Sequence, residues 1–230
     1  MNNAQMLQKL YEMKDYKNVD CLGYKRYINE ELDVLIEELK LEIAKEKVGK
    51  PTEKKALALM KRLQKKMAKG QRPILQYMKL IDDKMYFTDS YFAIALNKDD
   101  TWLDTMKFHD ENSDGSYPDI KRIFDTTKTY NEFVQFAVTR AEVDYWKKTV
   151  KKEGYNGYQL VDFDMLGSDG NTYKTTINVK YLDYLLTLLQ ENELVFRARI
   201  KTAVDKCIIA PFEAYSEKGC GICLPCRRYE

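Results

Sequence analysis

The sequence predicts an α+β fold with antiparallel sheets built from repeated strand–helix–strand halves, plus an N-terminal helical hairpin. Two features of the sequence favour this fold. Apolar residues recur with a helical period up to about residue 69, and the period changes to that of strands after residue 72. From residue 132 onward, a strand followed by a helix and then by further strands occurs twice in succession.

The helical hairpin is predicted at residues 28–70. Its first arm, residues 28–48, is rich in acidic side chains, and its apolar stripe consists of Leu32, Leu35, Ile36, Leu39 and Ile43. Gly49, Lys50 and Pro51 separate the arms. The second arm should begin with Thr52 as the N-cap and continue to about Lys69. It is strongly basic, so the two arms carry opposite charge.

The first strands are predicted by alternation after the hairpin. They cover 74–81 and 84–96, on either side of a turn at Asp82 and Asp83. A strand at 132–139 and a helix at 141–153 follow. On that helix, we expect Tyr145 and Val150 to face the sheet.

The second repeat is predicted with the same elements. Strands 158–165 and 172–179 should pair around the turn at Gly167 and Gly170. Residues 180–191 should form a leucine-rich helix. The remaining strands are expected near 193–201, 203–212 and 220–227.

Composition excludes several classes of protein. The chain has 230 residues, of which 44% are hydrophobic and 32% charged, so it can bury a sizeable core. Its apolar runs are too short to cross a membrane, and its start lacks the apolar core of a signal peptide. We therefore expect a cytoplasmic protein without membrane contact.

An enzyme is not expected. The chain contains one histidine, His109, which argues against catalysis or metal binding that needs several histidines. The acidic pairs Asp99, Asp100 and Asp110, Glu111 fall in polar loops, where solvated carboxylates are the ordinary outcome. The sequence therefore indicates no catalytic residues and no cofactor.

Three of the five cysteines are closely spaced in a C-x-x-C-x-x-C pattern, as Cys220, Cys223 and Cys226. Such spacing is compatible with a zinc or iron–sulfur site, and a metal-binding regulatory protein is one alternative function. In a strand, however, Cys223 would point away from the face shared by Cys220 and Cys226. Small apolar core residues are the favoured interpretation, and no metal is expected.

Two groups of basic side chains are candidates for contact with DNA phosphates. The first group lies on the second arm of the hairpin, and consists of Lys61, Arg62, Lys65 and Lys66. The second lies on the helix at 141–153, and consists of Lys147, Lys148, Lys151 and Lys152. The alternative for both groups is a solvated surface, which for the hairpin could pair with the acidic arm.

Four short motifs resemble a known family. They are Arg72-Pro-Ile-Leu75 followed by Thr88-Asp89, then Tyr117-Pro-Asp119, then Asn178 with Tyr181 before a leucine-rich helix, and finally Leu224-Pro-Cys-Arg227. In this order they resemble segments of bacterial sliding clamps, the DNA polymerase III beta subunits. The resemblance implies a DNA clamp-like fold, in which a ring of similar domains encircles double-stranded DNA and performs no chemistry.

The resemblance also implies a groove for partner peptides. In that family, replication proteins insert a short clamp-binding peptide into an apolar groove. The positions that match are Thr88, Asp89, Tyr91, Phe92, Asn178, Tyr181, Leu224, Pro225, Cys226 and Arg227. Tyr91, Phe92 and Cys226 depart from the family residues, which would change the shape of the groove and the peptides that it accepts.

The shortness of the chain limits what the resemblance implies. Residues 126–230 can hold one complete clamp-like domain, whereas residues 1–125 hold an incomplete one that includes the hairpin. A ring of six domains would take about three copies of a two-domain chain, so a homo-oligomer is part of the expectation. The sequence also leaves open an adaptor that binds its partner through the hairpin.

Overall fold

The computed structural model describes residues 6, 10, 32–36, 38–40, 42, 50–99, 101–110, 116–125, 132–153, 157–200, 203 and 206–226. Its α-helices are α1 (Pro51–Ala68), α2 (Ile120–Asp125), α3 (Arg140–Thr149) and α4 (Val179–Leu188). Its strands are β1 (Lys79–Ile81), β2 (Lys84–Thr88), β3 (Phe92–Asn97), β4 (Phe133–Thr139), β5 (Leu160–Leu166), β6 (Thr172–Asn178), β7 (Glu193–Arg199), β8 (Phe212–Ser216) and β9 (Gly219–Cys223). Short 3₁₀ helices cover Pro73–Gln76 and Thr101–Thr105. The predicted α+β class with antiparallel strands is confirmed.

Seven strands form one sheet in the order β1-β2-β3-β9-β8-β7-β4, and β5 and β6 form a separate hairpin. All of the ladder pairings are antiparallel. The central pairing joins β3 to β9, with Phe92 opposite Cys223. The strands predicted in the two halves of the chain are therefore hydrogen-bonded into one continuous sheet.

The helices α1 and α3 both pack against α4, which also contacts β6 and β9. Together with one face of the large sheet they enclose the main core, whose fully buried side chains include Leu57, Met60, Phe87, Phe92 and Phe196. Gly221 allows the close approach of α4 to β9, because a Cβ atom there would lie 2.4 Å from Cδ2 of Leu185. The three helices therefore cover one side of the sheet.

The segment 116–125 covers part of the other side. Tyr117, Ile120 and Phe124 pack against a smaller core on β2, β3 and β9, where Tyr86 and Cys220 are buried. The hydroxyl of Tyr117 donates to the carbonyl oxygen of Tyr77 at 3.1 Å. Burial raises the pKa of this hydroxyl, so it stays protonated and fixes the segment on the sheet.

Several predicted elements are wrong in detail. The predicted strand 84–96 is two strands, since the chain turns at Asp89 between β2 and β3. The predicted strand 203–212 contains only the start of β8, which begins at Phe212, while Cys207 makes an isolated bridge with Lys174. Helix α3 ends at Thr149 rather than at residue 153.

Two capping and facing predictions are also wrong. Helix α1 begins at Pro51 with Lys50 as the N-cap, so Thr52 lies inside the first turn. On α3, Tyr145 is 63% exposed, and Val143 is the side chain that is buried. The start of the helix is instead stabilised by a capping box between Thr139 and Glu142, which was not predicted.

Most of the predicted acidic arm lies outside the described residues. Within the part that is described, 32–36 and 38–40 are helical. Leu32 and Ile36 are buried, but Leu35 is 48% exposed, so its predicted place in the apolar stripe is wrong. Among the described residues, no helix combines the length and the apolar character needed to cross a membrane.

Candidate docking site and basic helical face

The turn between β2 and β3 is held by side chains of the Thr88–Asp89 pair. One carboxylate oxygen of Asp89 accepts hydrogen bonds from the backbone N–H groups of Tyr91 and Phe92, both at 3.0 Å. The hydroxyl of Thr88 donates to the carbonyl oxygen of Phe92 at 2.7 Å and accepts from the N–H of Ser90. Ser90 has a left-handed φ of 77°, which this network holds in place.

Asp89 is a buried carboxylate. Desolvation raises its pKa above the ordinary value, and the hydrogen bonds from Tyr91 and Phe92 oppose that shift. Attraction to Lys180 and Lys66 opposes it as well. The charge of Asp89 is therefore compensated by backbone donors and by cations of α4 and α1.

The start of α4 meets this turn. Asn178 is the N-cap, and its side chain accepts from the backbone N–H of Lys180 at 3.1 Å. The ring of Tyr181 stacks on the ring of Tyr91, with centroids 6.0 Å apart and planes 17° apart. Tyr181 also lies 6.0 Å from the ring of Phe92. Phe92 is buried, so Tyr91 is the exposed member of this aromatic group.

The C-terminal segment after β9 completes the same region. The backbone N–H of Leu224 donates to the carbonyl oxygen of Tyr91 at 2.9 Å, and that of Cys226 donates to Thr176 at 2.7 Å. Leu224 is exposed, whereas Pro225 and Cys226 are half-buried. Arg227, the last residue predicted for the groove, lies outside the described residues.

Three segments that are distant in sequence thus meet at one surface. We call the group of Tyr91, Tyr181 and Leu224 the aromatic patch. Tyr91 is 53% exposed and Leu224 36% exposed, so apolar area faces solvent there. This exposed apolar area is supported by the turn between β2 and β3 and by the start of α4.

The predicted basic residues of α1 differ in their exposure. Arg62, Lys65 and Lys66 are exposed, but Lys61 is half-buried. The ammonium group of Lys61 donates to the carbonyl oxygen of Thr105, so this lysine joins α1 to the 3₁₀ helix. Lys61 is therefore engaged in a structural contact, and the other three side chains face solvent.

The predicted basic residues near α3 are all exposed. Lys147 and Lys148 lie in the last turn of α3, where their positive charge interacts favourably with the helix dipole. Lys151 and Lys152 follow the helix. Lys147 Nζ lies 3.0 Å from Oδ2 of Asp183 on α4. Lys147 is thus partly neutralised, whereas the other three extend the positive surface beyond the helix.

Three residues of the site were not predicted. Arg140 and Asp183 form an ion pair between α3 and α4, with 2.6 Å between Nη1 and Oδ1. Lys180 places its ammonium group 5.0 Å from the ring centroid of Tyr181 and 5.4 Å from that of Tyr184. Lys180 lies within the matched motif, between Asn178 and Tyr181, so its position near the site could have been predicted. Its contacts could not, because they depend on how the helices pack.

The side chains of Cys220 and Cys223 do not point to a common site. Cys220 packs in the smaller core and Cys223 in the main core, on opposite faces of β9. Burial raises the pKa of Cys223, and also that of Cys226, so both favour the thiol. Within the described part of the chain, no three histidine, cysteine, aspartate or glutamate side chains are grouped to hold a metal ion.

No family model and no curated protein matches the chain. Among solved structures, it is similar to the DNA polymerase sliding clamp from Bacillus subtilis, at 15% identity and a TM-score of 0.46, with 75% of this chain and 63% of that chain covered. It is also similar to the sliding clamp from Bartonella birtlesii bound to griselimycin, at 14% identity and a TM-score of 0.43, with 66% and 57% covered.

A further similar structure is the Helicobacter pylori beta clamp bound to a DNA ligase peptide, at 17% identity and a TM-score of 0.33, with 63% of this chain and 41% of that chain covered. These structures are of the class whose motifs the sequence resembles. The chain spans less than two thirds of the length of each of these clamps.

Proposed function

We propose that this protein is a non-enzymatic, clamp-like factor of DNA replication that binds partner peptides at the aromatic patch and DNA backbone through its basic helices. The observation that carries the proposal is the meeting of Tyr91, Tyr181 and Leu224, which the clamp-like motifs had predicted to share a groove. The two predicted domains, 1–125 and 126–230, are part of the same proposal, as is assembly into a homo-oligomer.

The geometry of the patch suits a linear peptide. Tyr91 is exposed and is held against Tyr181, so little side-chain entropy is lost when a ligand packs on it. The exposed Leu224 offers further apolar contact on the neighbouring segment. A short peptide with apolar anchors would therefore bind without rearrangement of the fold.

Contact with DNA is supported by exposed cations on two helices that both pack against α4. They are Arg62, Lys65 and Lys66 on α1 and Lys148 on α3. Such cations bind phosphates without reading the bases, as a factor that moves along DNA requires.

A selection experiment tests the peptide part. A display library of random peptides of about 12 residues is selected on the full chain, and the enriched peptides are measured by fluorescence anisotropy. We expect apolar motifs whose binding is lost in Tyr91→Ala. Peptides that bind Tyr91→Ala and the unchanged protein equally would contradict docking at the patch.

Binding to a fluorescent DNA duplex tests the second part. We expect weak binding to a duplex of about 30 base pairs, which falls steeply as salt is raised and does not depend on sequence. Sedimentation of the same protein measures its oligomeric state. A protein with no salt-dependent affinity for the duplex would refute the DNA contact but would leave the peptide proposal standing.

A further inference from the structure

A cavity of about 410 Å³ lies beside the aromatic patch, at the start of α4. Its lining contains Arg62 of α1, Lys147 of α3, and Lys180, Asp183 and Tyr184 of α4. The segment after α3 and the end of β6 complete the wall with Gly157, Tyr158, Gln159 and Asn178. The cavity is therefore a polar concavity in which side chains from three helices meet.

Lys180 connects the cavity with the patch. Its ammonium group lies over the ring of Tyr181, which belongs to the patch, and over that of Tyr184, which lines the cavity. A strand-like peptide advances about 3.3 Å per residue. The ring of Tyr91 lies 6.0 Å from that of Tyr181, which lies 5.0 Å from the Lys180 ammonium group. A peptide anchored on the exposed Tyr91 therefore reaches Lys180 within about four residues.

Positive charge exceeds negative charge around this cavity. Desolvation lowers the pKa of Lys180, and repulsion from Lys66 and Arg62 lowers it further. Asp183 lines the cavity, but its carboxylate is shared between Arg140, at 2.6 Å, and Lys147, at 3.0 Å.

A second carboxylate that acts on this group is that of Asp89, which attracts Lys180. It is buried and already accepts two backbone hydrogen bonds. Lys180, Lys66 and Arg62 thus form a cationic group that an incoming anion would stabilise.

We propose that the peptide docked on the aromatic patch places an acidic side chain in the cavity lined by Arg62, Lys147 and Lys180. This inference rests on the proposed peptide docking and adds the chemistry of the partner. Preferred partners carry aspartate or glutamate a few residues from an apolar anchor. The carboxylate would accept charge-assisted hydrogen bonds from Lys180 and Arg62, while the anchor packs on Tyr91.

The competing occupant of the cavity is a DNA phosphate. A peptide carboxylate is favoured because Lys180 borders the apolar patch, and an aromatic surface attracts an apolar side chain rather than a sugar–phosphate chain. Tyr158, Gln159 and Asn178 also line the cavity, so part of its wall is polar without being charged.

The test compares selected peptides with amide versions of themselves. The peptides from the display selection are synthesised with each aspartate or glutamate changed to asparagine or glutamine. We expect acidic residues to be enriched on one side of the apolar motif and the amide versions to bind about tenfold more weakly. In the double variant R62Q/K180Q, the acidic and amide peptides should bind equally.

Matched controls separate the possible results. Lys174→Gln removes a lysine that is exposed on β6, away from the cavity, and should leave the preference for acidic peptides unchanged. Peptides that need Tyr91 but bind the amide version equally well would overturn the inference and keep the docking proposal. Weaker duplex binding in R62Q/K180Q is expected in any case, since Arg62 is also a proposed DNA contact, but a preference for acidic peptides that stays unchanged in this variant would overturn the inference as well.

Discussion

The carboxylate of Asp183 lies 2.6 Å from Nη1 of Arg140 and 3.0 Å from Nζ of Lys147, so one side chain of α4 holds two cations of α3. Arg140 also donates to Thr187 at 3.1 Å, which fixes its guanidinium group along α4. The mutual orientation of α3 and α4, and with it the position of the basic end of α3, depends on this network.

Asp183→Asn should lower the free energy of unfolding by about 1 to 3 kcal/mol, because the half-buried guanidinium group of Arg140 would lose its oppositely charged partner. Urea denaturation measures the change. The more exposed partner gives the control, since Lys147→Gln should cost less than about 1 kcal/mol. Equal stability of Asp183→Asn and the unchanged protein would show that the network does not hold the helices together.

The raised pKa of Asp89 predicts a dependence of stability on pH. The folded state binds a proton to Asp89 more tightly than the unfolded state, whose ordinary value is 3.8. Its contribution to stability is therefore greatest below the unfolded pKa and is lost as pH rises through the folded pKa. Asp89→Asn keeps an oxygen that accepts from Tyr91 and Phe92 but removes the charge.

We expect Asp89→Asn to be at least as stable as the unchanged protein at about pH 7 and to have a smaller pH slope from about pH 4 upward. Asp89→Ala, which also loses the two backbone hydrogen bonds, should be less stable by about 1 to 3 kcal/mol. Urea titrations over this range measure both variants. A slope unchanged in Asp89→Asn would contradict the raised pKa.

Tyr91→Ala should abolish most peptide binding while changing stability little, because the ring is half-exposed. Tyr181→Ala should lower both peptide binding and stability, since Tyr181 is buried beneath Tyr91 and contacts Phe92 and Tyr184. Fluorescence anisotropy and thermal unfolding separate the two effects. Tyr145→Ala, an exposed tyrosine on α3, is the control that should affect neither.

The triple variant K148Q/K151Q/K152Q should bind a DNA duplex more weakly and with less dependence on salt. Each lost phosphate contact reduces the slope of log K against log salt by about 0.9. The control is K174Q/K206Q, which removes two exposed lysines that lie outside α1, α3 and α4. An unaltered salt slope in the triple variant would assign these lysines to a solvated surface.

Gly221→Ala should destabilise the fold, because the new methyl group would lie 2.4 Å from Cδ2 of the buried Leu185, whose side chain would have to shift within the core. The expected cost is about 1 to 3 kcal/mol. Leu185→Ala alone should also be destabilising, since the side chain is fully buried. In the double variant the two costs should be less than additive when measured by urea denaturation.

Elements with local signals could be predicted from the sequence. The turn at Gly167 and Gly170 correctly places β5 against β6, and Asn178 caps α4 where the motif indicated a helix start. The break between β2 and β3 was missed because the segment 84–96 contains no glycine or proline to mark a turn. It is set by the side chain of Asp89, whose hydrogen bonds replace those of a ladder.

The candidate site shows the same division. Tyr91, Tyr181 and Leu224 were brought together by their place in a family pattern, whereas alternation and composition contain no information about their distance. The group of Arg62, Lys66 and Lys180 could not be predicted, because it depends on how α1 packs against α4. Side chains that meet through helix packing have no fixed spacing in the sequence.

The pairing of β3 with β9 has a consequence for synthesis of the protein. The middle of the large sheet is closed by a strand that the ribosome makes long after β3, since Phe92 pairs with Cys223. Until β9 emerges, β3 and β8 each present an unpaired edge, and α4 lacks the contact that it makes with β9. The part of the sheet formed by β1, β2 and β3 can therefore join the part formed by β8, β7 and β4 only after β9 has been made. This pairing of distant segments should be a late and slow step of folding.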